Sequence, residues 1–165
     1  MKATMKSVLF ASALSLSLHA QASGVERHLN EGSTFPIAKA VTLKAGTDIV
    51  FLSGTVPPAF DTSFDKGTIE YFGDMEQQTV GVLTSIERKL HSLGLEMADV
   101  VKMQVYLVPE KDTQKSDFAG FMRGYTQFFG TEAQPNLPSR SAFNIHSLAN
   151  PGWLVEIEVV AAKQG

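Results

Sequence analysis

The chain has 165 residues, enough for one domain with a sizeable hydrophobic core and too few to suggest two domains. Hydrophobic residues make up 44% of the sequence and charged residues 19%, a globular composition that excludes an intrinsically disordered protein. The absence of cysteine excludes a disulfide framework, a thiolate nucleophile and a zinc–thiolate site.

Residues 1–22 predict a cleavable secretory signal peptide. Lys2 and Lys6 precede an apolar run from Val8 to Leu18, and the small-residue sequence Ala-Gln-Ala follows at residues 20–22. The apolar run is much shorter than the roughly 20 residues that a membrane-spanning helix needs. We therefore expect residues 23–165 to form a single domain that is periplasmic or secreted and has no membrane attachment after cleavage.

Removal of this segment takes away two lysines and leaves 12 basic against 17 acidic residues, a formal charge of −5. The sequence also contains no cluster of lysine and arginine. Proteins that bind nucleic acids normally carry a basic patch that neutralises phosphates. The charge pattern therefore predicts no nucleic-acid partner.

The first half of the domain predicts two strands and a long loop. After a polar leader at residues 23–34, residues 36–46 are typical of a strand entering a turn. Residues 47–54, TDIVFLSG, are typical of a buried strand because they are β-branched and apolar and end in glycine. We expect these two strands to form a hairpin, and the prolines and glycines of residues 55–73 to form a loop.

The second half predicts two helices and three strands. A helix begins at Asp74 and ends at Gly94, and the alternating sequence DVVKMQVYLV predicts the next strand. A second helix, with an aromatic stripe expected in the core, starts near Ser116; strands then cover residues 139–148 and 153–162. The order β-β-α-β-α-β-β predicts an α+β domain, a mixed β-sheet with two helices on one face.

Common catalytic motifs are missing from the sequence. No histidine has metal-ligand spacing with another histidine or a carboxylate, which argues against a metal site. The nucleophile elbow G-x-S-x-G, the phosphate-binding loop and the dinucleotide fingerprint are all absent.

Polar groups on otherwise apolar strands are the remaining candidates. Arg140 heads a predicted strand directly after a proline turn, and Ser53 ends the buried run. Glu156 and Glu158 lie on one face of the last strand, about 7 Å apart. Because arginine stays charged and is rarely buried unpaired, Arg140 is either solvated at a sheet edge or binds an anion. The residues alone leave both alternatives open.

Five segments, in this order, resemble the signatures of the RidA (YjgF-type) imine deaminase family: FLSGTVP, DMEQQTVGVLTSIERKLHSLGLEMADVVKMQVYL, DFAGFMRGYTQFF, PSRSAFNIHSL and VEIEVVA. The similarity extends from about Pro36 to Ala162, essentially the whole predicted domain. It implies a chorismate mutase-like fold and a homotrimer with a ligand cleft at each subunit interface.

The resemblance also implies an activity and residue roles. Arg140 would bind a substrate carboxylate through a two-pronged ion pair, and Glu156 would orient or activate the attacking water. Ser53 and Gly54 would line the cleft. The implied substrates are small carboxylates, reactive 2-imino or 2-enamino acids, which are hydrolysed to 2-keto acids and ammonia without a cofactor.

The predicted pocket departs from the family pattern towards more apolar residues. Ile37 stands where the family usually has an aromatic residue, and Ala142 where active members often have cysteine. Thr55 and Met122 replace residues that are often glutamine and asparagine. The alternative interpretation is a non-catalytic trimer that binds small carboxylates such as 2-keto acids, or an interaction protein. Glu156 separates the two, because a hydrolase needs both Arg140 and Glu156 whereas a binder needs only the arginine.

Overall fold

A four-stranded mixed β-sheet forms the centre of the structure, a computed structural model that describes residues 24–109 and 114–163. The predicted signal peptide at residues 1–22 lies outside the described residues. No helix in the described ranges is both long and apolar enough to cross a membrane.

The elements, in chain order, are β1 (Val25–His28), β2 (Ala40–Leu43), β3 (Asp48–Thr55), α1 (Ile69–Phe72), α2 (Met75–Ser92), β4 (Val100–Leu107), α3 (Phe118–Tyr125), β5 (Ser139–Asn144) and β6 (Val155–Lys163). The strand order in the large sheet is β3-β6-β4-β5. Strands β4 and β5 are parallel, and β6 is antiparallel to both of its neighbours. The predicted mixed sheet is confirmed.

Helices α2 and α3 pack on one face of this sheet, as predicted. Alternate residues of β4 and β6, such as Met103, Val105 and Ile157, have no exposed surface and face the helices. They form one core cluster with Leu83 of α2 and Phe121 of α3. The α+β prediction therefore holds because each element carries one apolar face that only this layered packing buries.

The bounds of α2 follow from its capping residues. The Asp74 carboxylate accepts a hydrogen bond from the Gln77 backbone N–H, and the Gln77 side chain accepts one from the Asp74 N–H. Gly94, just past the helix end, adopts φ +70°, a conformation that favours glycine. Both predicted ends are confirmed.

The predicted hairpin of the first two strands is wrong. Strand β2 pairs with β1, which lies in the stretch expected to be a polar leader, and β3 pairs with β6 instead. This two-stranded ribbon packs on the sheet face opposite the helices, where Val25 forms a small apolar cluster with Val101 and Ala162. Strand β3 has eight residues and pairs with the nine-residue β6. Strand β2 has only four residues, too few to form backbone hydrogen bonds along the whole of β3.

Two smaller differences concern the loops. The short helix α1 forms inside the predicted loop of residues 55–73, with the Thr68 side chain as its N-cap. Strand β5 ends at Asn144, four residues before the predicted end at Leu148.

Buried Gln78 attaches the turn between β5 and β6 to helix α2. Its side chain donates to the Gly152 carbonyl and accepts from the Leu154 N–H.

Candidate functional site

Arg140 lies on β5 with its side chain against helix α3. It pairs in register with Met103, whose side chain belongs to the helix-facing core. The guanidinium carbon lies within 6.0 Å of four ring centroids, and the shortest of these distances is 4.3 Å, to Tyr125. The other rings are Phe35, Phe118 and Phe121. Aromatic faces attract a cation, so these rings hold the guanidinium in place.

Arg140 has no carboxylate partner among the described residues, whereas Arg123 on the neighbouring helix pairs with Glu76. Its Nη2 donates to the sulfur of Met122 at 3.3 Å, and its Nη1 is buried with no hydrogen-bond partner. Burial lowers the pKa of Arg140, and the nearby Tyr125 partly opposes this effect. A half-buried cation with an unsatisfied N–H is costly, and an anionic ligand would remove that cost.

The chain segment before β2 brings further residues to Arg140. Ala38 forms a bridge to Ser139, and the Tyr125 hydroxyl donates to the Pro36 carbonyl at 2.8 Å. These contacts hold Ile37 near the start of β5, but the aromatic ring over Arg140 belongs to Phe35, at 5.4 Å. Sequence reasoning named Ile37 and missed Phe35. The adjacent Phe-Pro pair was the signal that could have found it.

Ala142 is the other predicted pocket residue on β5. It lies two residues after Arg140 on the same side of the strand and is exposed. We name Arg140, Phe35, Met122, Tyr125 and Ala142 the arginine half-site. Its rim is apolar, because Phe35 is 44% exposed and the neighbouring Met122 and Ala142 have side chains without charge.

Glu156 occupies a second cluster with Ser53 and Gly54. Strand β3 bulges there, since Leu52 pairs with Val159 and Thr55 with Ile157, so that two residues oppose one. A Cβ atom at Gly54 would overlap the Glu156 carboxylate where it now lies, so glycine lets the β3 backbone and this side chain approach closely. We name Glu156, Ser53 and Gly54 the glutamate half-site.

The two glutamates of β6 differ in their hydrogen bonding. The Glu158 carboxylate accepts from Gln104 Nε2 at 3.2 Å and from the Tyr106 hydroxyl at 3.1 Å. Burial and this hydrogen bond raise the pKa of Tyr106. Glu156 has no hydrogen bond or ion pair with any other described residue, so its carboxylate is available to a water or a ligand. Glu158 is held by the protein itself.

One chain does not bring the two half-sites together. Glu156 pairs in register with Tyr106, on the sheet face that points away from the helices, whereas Arg140 pairs with Met103 on the helix face. Successive residues of a strand point to opposite faces, so Arg140 and Glu156 lie on opposite sides of the sheet. Within the described ranges, no group of three potential metal ligands is present.

The sequence profile of the endoribonuclease L-PSP family matches residues 35–163. The chain belongs to this family. A RutC family protein of Pyrococcus horikoshii is 34% identical over 130 residues, which cover 78% of this chain and 88% of the relative. TdcF of Escherichia coli, whose name describes a reactive intermediate deaminase, is 29% identical over 139 residues. These residues cover 84% of this chain and 95% of TdcF.

Solved structures confirm the fold of the family. A YjgF family protein of Neisseria meningitidis is 25% identical, covers 86% of this chain and 96% of its own, and has a TM-score of 0.55. The Rid family protein YyfB of Yersinia pestis is 23% identical and has a TM-score of 0.63; the match covers 85% of this chain and 99% of YyfB. At this identity the similarity supports the fold and nothing more. The predicted membership of the RidA (YjgF-type) family and the α+β fold are confirmed.

Replacing Tyr125 with phenylalanine tests the packing that supports Arg140. Tyr125 is fully buried, burial raises its pKa, and the positive charge of Arg140 opposes that shift. Above about pH 10 the Tyr125 hydroxyl therefore stays protonated in the folded protein but ionises in the unfolded chain. The free energy of unfolding is unaffected by this difference below about pH 10 and falls as the pH rises above it. Tyr125→Phe removes this alkaline loss and, at neutral pH, costs about 1 kcal/mol because the bond to Pro36 is lost.

Urea unfolding of both proteins at neutral pH and at about pH 11 measures the difference. Tyr71→Phe is the matched control, since its hydroxyl makes no hydrogen bond among the described residues; this variant retains the alkaline loss of the wild type. An equally steep alkaline loss in Tyr125→Phe would contradict the assignment.

Proposed function

We propose that this protein hydrolyses reactive 2-imino or 2-enamino acids to 2-keto acids and ammonia. The observation that carries the proposal is the Arg140 guanidinium, half-buried among aromatic rings without a carboxylate partner among the described residues. The similarity to a relative named as a reactive intermediate deaminase supports it. The description of the family as endoribonuclease does not fit a chain of net charge −3, because RNA binding depends on cationic contacts to phosphates.

In the proposed mechanism, Arg140 binds the substrate carboxylate with two parallel hydrogen bonds, which satisfies its buried Nη1. This fixes the imine carbon, which is already electrophilic, so that positioning accounts for most of the catalysis. The carboxylate of Glu156 accepts a proton from a water as the water oxygen bonds to that carbon. Transfer of this proton to the nitrogen gives a tetrahedral carbinolamine. The hydroxyl proton then passes to the nitrogen, by way of the Glu156 carboxylate, as the carbon–nitrogen bond breaks; the hydroxyl oxygen becomes the carbonyl of the 2-keto acid, and ammonia leaves.

The proposed active site combines the arginine half-site of one subunit with the glutamate half-site of its neighbour. The opposite orientations of Arg140 and Glu156 on one sheet support this arrangement. The family resemblance supports a homotrimer, in which each of the three interfaces would hold one such cleft.

The open face of the sheet supports the oligomer further. Outside the area covered by the β1–β2 ribbon, it exposes Phe51 at 77% and Phe143 at 48%. A shallow depression of about 190 Å³ beside Phe51 is also lined by Lys102, Gln104 and Glu158. Exposed aromatic residues next to polar groups are typical of a surface that another subunit covers.

We also propose that the mature chain is exported, on the basis of the sequence of residues 1–22. Its imine substrate would then come from an amino-acid oxidase or dehydrogenase outside the cytoplasm. Mass spectrometry of the chain recovered from cell fractions is expected to find it outside the cytoplasm with Ser23 as its first residue. Recovery of a cytoplasmic chain that retains Met1 would contradict export and leave the reaction proposal unaffected.

The reaction is tested with imino acids that an L-amino-acid oxidase forms in situ, with catalase present and semicarbazide as the trap for unhydrolysed imine. We expect wild-type protein lacking residues 1–22 to suppress trapping. Arg140→Gln loses the carboxylate bond and Glu156→Gln loses the base, so each is expected to lower the rate at least about 100-fold. Arg123→Gln and Glu158→Gln are the matched controls, because their side chains belong to neither half-site.

Wild-type rates in both Arg140→Gln and Glu156→Gln would refute the mechanism. If the wild type hydrolyses no imine, melting temperatures with 2-keto acids decide between the remaining functions. Stabilisation of wild type and Glu156→Gln, but not of Arg140→Gln, would establish the carboxylate-binding alternative in place of the deaminase.

Mixed trimers test whether two subunits share each site. In an equal mixture of Arg140→Gln and Glu156→Gln subunits, an active cleft needs the arginine from one variant and the glutamate from the other. Random assembly then restores about a quarter of the wild-type activity. Each variant refolded alone is the control. A site between subunits would be contradicted if the mixture were no more active than the two variants refolded separately, or if the protein sedimented as a monomer.

A further inference from the structure

Met122 provides a weak hydrogen-bond acceptor for Arg140. Its sulfur lies 3.3 Å from Arg140 Nη2, and thioether sulfur is a weak acceptor. The guanidinium also carries the buried, unpartnered Nη1 beside this contact. A stronger acceptor on the Met122 sulfur would therefore find two N–H groups ready to donate to it.

Met122 is also the most accessible methionine of the described residues. Met75, Met97 and Met103 are 2%, 5% and 0% exposed, whereas Met122 on the surface of α3 is partly exposed. Susceptibility of methionine to oxidation follows its exposure. A diffusible oxidant would therefore react with Met122 before the three buried methionines.

The chemistry of this oxidation needs only hydrogen peroxide as the oxidant. The sulfur lone pair attacks one peroxide oxygen, the oxygen–oxygen bond breaks, and the other oxygen leaves as water after proton transfer. The sulfur loses two electrons and the peroxide gains them. The product is a sulfoxide with a strongly polarised oxygen, and methionine sulfoxide reductases reverse the reaction.

We propose that Met122 is a reversible sulfoxidation site whose sulfoxide oxygen binds the Arg140 guanidinium and excludes the substrate carboxylate. The second half of this statement rests on the proposed function, in which Arg140 binds that carboxylate. Flavin-dependent amino-acid oxidases release hydrogen peroxide together with the imino acid. An oxidase that supplied the substrate would therefore also supply the oxidant, and oxidised Met122 would lower deaminase activity as peroxide accumulates.

The first experiment identifies the oxidised residue. Folded protein lacking residues 1–22 is titrated with hydrogen peroxide, and peptide mass spectrometry follows the addition of one oxygen at each methionine. We expect Met122 to react at least about tenfold faster than Met75, Met97 and Met103. Equal rates at all four residues in the folded protein would overturn the proposal.

The second experiment asks whether the sulfoxide covers Arg140, with no substrate present. Phenylglyoxal labelling of arginines is followed by peptide mass before and after oxidation, and the exposed Arg123 serves as the internal reference. We expect oxidation to slow labelling of Arg140 about tenfold and to leave Arg123 unchanged, since hydrogen bonds to charged groups are the stronger ones. Unchanged labelling of Arg140 would overturn the proposal, and this result does not depend on deaminase activity.

The third experiment measures the functional consequence. Oxidation is expected to weaken 2-keto acid binding and imine hydrolysis about tenfold, and a methionine sulfoxide reductase restores both. Met122→Leu keeps the volume without an oxidisable sulfur and is expected to resist peroxide, whereas Met122→Gln carries a permanent acceptor and is weakened without peroxide. Oxidised wild type that binds and hydrolyses as before would overturn the inference and leave the proposed function standing. If the reduced wild type neither binds 2-keto acids nor hydrolyses imines, the proposed function is refuted. The phenylglyoxal labelling of Arg140 would then alone decide whether the sulfoxide covers the guanidinium.

Discussion

The arrangement of this protein depends on a cation that no carboxylate of the described residues neutralises. Arg140 heads strand β5, beneath helix α3, and its guanidinium is surrounded by aromatic rings. Aromatic faces stabilise a cation without accepting strong hydrogen bonds, so they position the group while Nη1 keeps no hydrogen-bond partner in the described part of the chain and Nη2 donates to the Met122 sulfur. A carboxylate from the protein would have stabilised the charge more, but it would also have occupied the binding position. The apolar surround keeps Arg140 both ordered and available.

The sheet separates the two chemical groups on which the proposed reaction depends. Its helix face supports Arg140 on aromatic side chains, while the other face carries Glu156 next to the β3 bulge and Gly54. The bulge and the glycine let a strand backbone approach the carboxylate, and neither contributes to the core. Because Arg140 on β5 and Glu156 on β6 point to opposite faces of the sheet, one chain cannot present both side chains to the same cleft. In the proposed mechanism, the need for a second copy would therefore arise from the alternation of side chains along β-strands.

Local signals were sufficient to predict most of the fold. The ends of α2 were predicted from Asp74 and Gly94, and the alternating burial of β4 from its sequence, because capping and periodicity act within a few residues. The pairing of β1 with β2 was missed, since four residues with one buried valine carry almost no pattern and their partner lies outside local sequence. Strand pairing is decided by the length and edges of the whole sheet, which local sequence does not report.

The same contrast holds for the candidate site. Arg140 was predicted from sequence because a charge on an apolar strand is a local anomaly, and Glu156 because it recurs in a family motif. Phe35 was missed because its ring reaches Arg140 only through a bridge between Ala38 and Ser139, about a hundred residues apart in the chain.

The departures from the family pattern acquire a physical meaning once these contacts are known. Met122 stands where the family often has asparagine, a residue whose amide oxygen would accept a full hydrogen bond from the guanidinium. The thioether accepts only weakly, so under the proposed function Arg140 would retain more of its hydrogen-bonding capacity for a substrate carboxylate. The same substitution introduces an oxidisable atom at the centre of the arginine half-site. If both proposals hold, stronger binding of the carboxylate and sensitivity to peroxide would be two consequences of the one methionine side chain.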